Sequence, residues 1–150
     1  MKINEYKEFI KKDSEEFTKE YLMLGLIGEA GELCSIYKRA LRDNLPNGIF
    51  IPQIERKLGD FFWYFYQLGN QDELFDTDLI LEWVSVEVDS FGELLIDFVS
   101  SVSEEIYCYK STGNFTLSYR GELADIIINK LDTSIEAILQ INVDSNSSTY

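Results

Sequence analysis

Proline occurs at only two positions in this chain, Pro46 and Pro52, and on either side of them apolar residues recur every three or four positions over long stretches. Proline is the residue that most firmly stops a helix, and that spacing marks a helix with one buried face. The chain therefore reads as an all-α helical bundle of about five helices. Asn4 caps a first helix over roughly 4–13, and Asp13 or Ser14 opens a second whose periodicity runs to about Leu41. Residues 43–52 form a loop, and Pro52 suits the first turn of a helix that ends near Leu68, stopped by Gly69 and Asn70. A further helical stretch covers about 74–110 with an interruption near Gly92. After a loop at 111–116, a last helix spans about 118–141, and the tail from Asp144 frays. The strand signals at Gly48–Ile51 and Phe115–Ser118 are too short and isolated to compete. At 150 residues, 45% of them hydrophobic, the chain fits a single domain, 1–150, with a substantial core.

Charge narrows the function. The chain carries 27 acids against 13 bases, a net −14, so neither nucleic acid nor an anionic membrane is an expected partner. No apolar run reaches the ~20 residues of a membrane span, and the start, Met1-Lys2-Ile3-Asn4-Glu5, has no leader character, so a cytoplasmic location is expected. Cys34 and Cys108 make no disulfide framework. Histidine is absent, which removes histidine triads, imidazole-based zinc sites and carboxylate–histidine di-iron bundles. Any catalysis must rest on carboxylates, lysine, tyrosine or a metal held by oxygen.

The carboxylates are placed unusually. In Leu24-Gly-Leu-Ile-Gly-Glu29-Ala-Gly-Glu32-Leu33 two acids stand one helical turn apart. On a helical wheel Leu22, Leu26, Leu33, Ile36 and Ala40 form one stripe, with Glu29 inside it and Glu32 at its edge. Gly25, Gly28 and Gly31 each weaken a helix by about 1 kcal/mol relative to alanine, which close approach of a helix or a ligand would justify. On the next helix Ile54, Leu58, Phe61, Phe65 and Leu68 make the core stripe, and Asp60 lies beside it with Lys57 and Tyr64. Three oxygen-donor acids on two antiparallel helices can cradle magnesium. The same acids can equally pair with Lys38, Arg39 or Lys57 and simply hold helices together.

The two halves of the chain also look alike. Glu32-Leu33 compares with Glu105-Ile106 at an offset of 73, and Lys57-Leu-Gly-Asp60 with Glu122-Leu-Ala-Asp125 at an offset of 65. Two degenerate helix–loop–helix repeats and chance similarity of amphipathic hairpins both account for this.

The string Gly28-Glu29-Ala-Gly-Glu32-Leu-Cys-Ser-Ile-Tyr-Lys38, followed by Leu58-Gly-Asp60-Phe-Phe-Trp63-Tyr64, resembles the MazG-like nucleotide pyrophosphohydrolases. These belong to the all-α NTP pyrophosphatase group, which also includes the dimeric dUTPases. The resemblance covers roughly residues 4–70, including Asn4-Glu5-Tyr6 and Phe9. It implies cleavage of a nucleoside triphosphate to monophosphate and pyrophosphate by water activated on magnesium or manganese. The family holds that ion with four acids, spelled Glu-x-x-Glu and then Glu-x-x-Asp. Glu29, Glu32 and Asp60 match three of them as metal-binding and catalytic residues. Lys38 matches a basic position near the phosphates, and Trp63-Tyr64 an aromatic pair that packs in the core or borders the base pocket. The family's usual assembly is a dimer or tetramer. The departure falls at position 57, where the family's acid is lysine. Three acids and Lys57 leave the site at a formal −2 rather than −4. Lys57 either binds a substrate phosphate or neutralises Glu29 and replaces the metal. The alternative function is a non-catalytic nucleotide-binding or protein-interaction bundle.

Overall fold

The computed structural model describes residues 1–13, 16–72, 90–112 and 126–145. Among them every regular element is a helix: α1 (Ile3–Lys11), α2 (Lys19–Asp43), α3 (Asn47–Gln71), α4 (Phe91–Thr112), α5 (126–130) and α6 (Ile135–Asp144). The all-α reading holds. No helix among the described residues is long and apolar enough to cross a membrane.

Helix α3 is the centre of the bundle. Residues 61–68 are buried on every side, as a helix enclosed by neighbours must be. Helix α2 packs along α3, α4 packs on α2, and α1 and α6 close the remaining faces of α3. Phe61 stacks on Phe65 and meets Phe98 of α4 edge-on, with centroids 5.1 Å apart in the latter pair. The expected stripes are the buried ones. Leu22, Leu26, Leu33, Ile36 and Ala40 of α2 are buried, as are Ile54, Leu58, Phe61, Phe65 and Leu68 of α3.

Several boundaries move, each for a local reason. Helix α1 begins at Ile3 after Lys2, so Asn4 lies inside the helix and does not cap it. Helix α2 is capped by Thr18, whose hydroxyl accepts from the Tyr21 amide at 3.1 Å, and not by Asp13 or Ser14. It ends where Asn44 turns left-handed, at φ 52°. Helix α3 starts five residues before Pro52, at Asn47, with Ile49 and Phe50 donating to the Pro46 carbonyl. Proline lacks the N–H for an interior helical bond, yet the helix runs through Pro52. Packing outweighs that loss, because the extra turn brings the Phe50 ring onto Tyr37, 5.7 Å between centroids. Gly69 and Asn70 do not stop α3. Asn70 and Gln71 continue it and donate to the Lys7 and Phe17 carbonyls. The expected last helix is divided by Leu131–Ser134, where Asp132 has φ 55° and the Ser134 hydroxyl caps α6 by accepting from Ala137. Asp132-Thr133-Ser134 is a run of turn and cap residues, and that signal prevails over the apolar periodicity on either side.

The possible repeat is only partly visible. Glu105 sits half-buried on α4, whereas Glu122 and Asp125 lie outside the described residues. The three glycines of α2 turn out to differ. Only Gly25 meets a neighbour, the Tyr64 ring of α3, and a Cβ at Gly28 or Gly31 would meet nothing within 4 Å. The expected close helix approach thus holds at one glycine of three. Alanine at Gly28 or Gly31 should then stabilise the fold by about 0.5–1 kcal/mol, read from the urea midpoint. A lower midpoint in either variant would contradict the open space seen there.

Candidate functional site

The site lies where α2, α3 and α6 converge. Its position depends on two close approaches. At Gly25 the Tyr64 ring crosses α2 where any side chain would block it. At Gly59 a Cβ would lie 3.0 Å from Asn142 Cβ and 3.2 Å from the Ile138 carbonyl, so the glycine lets α6 sit against α3. That approach delivers Asn142 to the neighbouring Asp60.

Lys57 stands between the acids. Its Nζ is 3.4 Å from Glu29 Oε2 and 3.7 Å from Asp60 Oδ2, the latter one turn along α3. All three side chains are about three-quarters or more removed from solvent. Asn142 Nδ2 donates to Asp60 Oδ1 at 3.2 Å, and Tyr6 donates its hydroxyl proton to Asn142 Oδ1 at 2.5 Å. A polar chain therefore runs from Tyr6 through Asn142, Asp60 and Lys57 to Glu29, and it ties α1, α6, α3 and α2 together. Glu29 Oε2 is fully shielded from solvent, and its contact with Lys57 Nζ at 3.4 Å is an ion pair.

Burial sets the chemistry. It pushes the Glu29 carboxyl above the usual carboxylate range, with Lys57 pulling it back and Asp60 and Glu32 adding to the rise. Burial, with the charge of Asp60 behind it, raises the Tyr6 phenol, which keeps Tyr6 a proton donor to Asn142. Burial followed by its hydrogen bond with Tyr21 raises Tyr64. Tyr64 and Tyr21 form a tilted aromatic wall, centroids 6.0 Å apart, beside the acids.

The expected site residues divide into two groups. Glu29, Lys57 and Asp60 come together, with Tyr64 beside them. Glu32 is exposed on the next turn of α2. Trp63 is 3% exposed and packs edge-on against Phe17, a core position. Lys38 is nine residues beyond Glu29, about 13–14 Å along the helix. It lines a different place, an apolar cavity of about 320 Å³ between α2 and α4 with Cys34, Tyr37, Leu41, Leu95 and Ile96. The cluster's donor set does not fit the resident divalent ion that the family resemblance implies. An ammonium takes the point between Glu29 and Asp60, and among the described residues no three His, Cys, Asp or Glu side chains gather around a common point.

Asn142 and Tyr6 are the site residues that sequence reasoning missed. A signal existed, because Asn142 falls on the Ile135, Ile138, Leu139 stripe and a polar residue on a buried stripe requires a partner. Asn142→Ala removes the acceptor of a fully buried tyrosine and the donor to Asp60. The expected loss is about 1–3 kcal/mol of stability, measured by denaturant unfolding. A loss under a few tenths of a kcal/mol would show that the chain from Tyr6 to Asp60 is idle.

No family model matches the chain, and no solved structure matches it. A relative called Gene 37 protein, from Mycobacterium phage L5, is 40% identical over 55 residues, covering 34% of this chain and 46% of that protein. The chain thus matches about half the length of that relative, whose name states no activity.

Proposed function

We propose that this chain is a MazG-like nucleotide pyrophosphohydrolase, cleaving a nucleoside triphosphate to monophosphate and pyrophosphate at the Glu29–Lys57–Asp60 cluster. The observation that carries this reading is the shielded Glu29 carboxyl held beside a lysine ammonium. A carboxylate whose proton affinity burial has raised is a fitting general base, and an ammonium beside it is a fitting partner for phosphate oxygens. Glu29 would take the proton of the attacking water as its oxygen bonds to phosphorus and pyrophosphate departs. Lys57 would face the phosphate charge, and Asp60, fixed by Asn142, would hold Lys57 in register. The Tyr64–Tyr21 wall would flank the base or ribose. Magnesium belongs to this reading as the nucleotide's counter-ion, brought in with the substrate. A homo-oligomer, dimer or tetramer, is the assembly the resemblance implies and would be read by sedimentation.

A second reading, nucleotide binding without turnover, is favoured by one observation: Lys57 is already ion-paired with both Glu29 and Asp60, at 3.4 and 3.7 Å. Titration with nucleoside triphosphate analogues carrying a methylene bridge between the α- and β-phosphates tests the step common to both readings. Saturable binding that weakens at least tenfold in Lys57→Met is expected. No binding by any analogue to the folded protein would overturn both.

A further inference from the structure

The cluster allows an inference that requires no nucleotide. Lys57 and Asp60 lie one turn apart on α3, and Glu29 faces them from α2. Asp60 presents Oδ2 to the ammonium because its other oxygen is held by Asn142. Glu29 presents Oε2, an atom shielded from water. Two anionic oxygens on different helices thus converge on one cationic nitrogen at 3.4 and 3.7 Å. That is the charge arrangement of a small cation site, with the cation supplied on a tether by the chain itself. We propose that Lys57 is a built-in cation that keeps magnesium and manganese out of the Glu29–Asp60 pair in the free protein, and that exchanging it for an acid turns the cluster into a divalent-cation site.

Glu29, Lys57 and Asp60 sum to −1; a carboxylate at position 57 makes the sum −3 and removes the ammonium from the point the ion would take. Partly buried charges a few ångström apart interact far more strongly than in water, so this change should tighten divalent binding at least ~100-fold. Oxygen-only ligation suits magnesium and manganese.

The test is a manganese titration of chelator-stripped, full-length protein without nucleotide, following free manganese by electron paramagnetic resonance. Melting temperature is recorded in parallel. The chain's net −14 gives weak surface binding, so Glu29→Gln marks what belongs to the cluster. Expected is no uptake in wild type that Glu29→Gln removes. Lys57→Glu should take up one ion per chain, with a melting temperature that rises with manganese and an uptake that is lost when Glu29→Gln is added. Wild-type uptake of one ion per chain that disappears in Glu29→Gln would overturn the proposal. So would a folded Lys57→Glu that binds no more tightly than wild type. If Lys57→Glu does not fold, Lys57→Gln decides, since it removes the ammonium without adding charge. Tighter manganese binding than wild type supports the proposal, and equal binding overturns it. The readout contains no nucleotide, so its failure is separate from failure of the hydrolase reading.

Discussion

Glu29→Gln, which keeps the side chain's size and removes its charge, is expected to lower pyrophosphate release by about 100- to 10,000-fold while leaving the helical circular dichroism intact. The fold survives because Lys57 retains Asp60 and because glutamine fills the space of the shielded Glu29 carboxylate. Activity that persists in this variant would sink the assignment of Glu29 as base. The same substitution has a stability signature. Burial raises the Glu29 carboxyl above its unfolded value, so between those two values the folded state binds more protons than the unfolded state. Stability contributed by this group must therefore fall as pH rises through that window and be recovered as pH drops back toward the ordinary carboxylate range. Glu29→Gln should flatten that part of the curve in urea unfolding. An unchanged slope would mean that Glu29 does not carry the shift.

Gly25→Ala should be the most damaging of the three glycine-to-alanine changes in α2. Its Cβ would overlap Cε1 and Cδ1 of Tyr64, a ring that is itself 7% exposed and enclosed by Trp63, Tyr21 and the body of α2. The ring cannot swing clear without disturbing the aromatic wall beside Glu29 and Asp60. A loss of about 1–3 kcal/mol is expected, together with a fall in any activity at the cluster. The cause can be isolated with Tyr64→Leu as a second background. There the cost of Gly25→Ala should shrink by about 1 kcal/mol or more, the coupling expected of residues in direct contact. Full additivity would show that the damage comes from helix geometry and not from the ring.

These two residues also show how far the sequence can be read. The apolar stripes of α2 and α3 were legible because a 3.6-residue period survives whatever the neighbours are. Glu29 stood out because it interrupts such a stripe. Lys57 stood out because it breaks the spacing of an acid pattern, and the structure places it against Glu29 and Asp60, two of the three remaining acids. What could not be read depends on neighbours far away in the chain. Gly25, Gly28 and Gly31 look alike in sequence, and only Tyr64, 39 residues after the first of them, makes Gly25 different. Lys38 has a suitable charge and neighbourhood, but helical rise carries it away from the acids to the cavity between α2 and α4. Asn142 belongs to the site because Gly59 lets α6 approach, a contact between residues 83 positions apart. Helix α3 begins early because Phe50 finds Tyr37, which local propensity around two prolines cannot foresee.

Hydrolysis at the Glu29–Lys57–Asp60 cluster is tested by pyrophosphate release from a panel of standard and modified nucleoside triphosphates supplied as their magnesium complexes, with chelator and Glu29→Gln as controls. Turnover of at least one nucleotide is expected, with monophosphate and pyrophosphate formed in equal amounts and the reaction lost in Glu29→Gln. Absence of turnover across the panel by folded protein would contradict it and leave Lys57 as the permanent partner of two acids in a bundle that does not hydrolyse nucleotides.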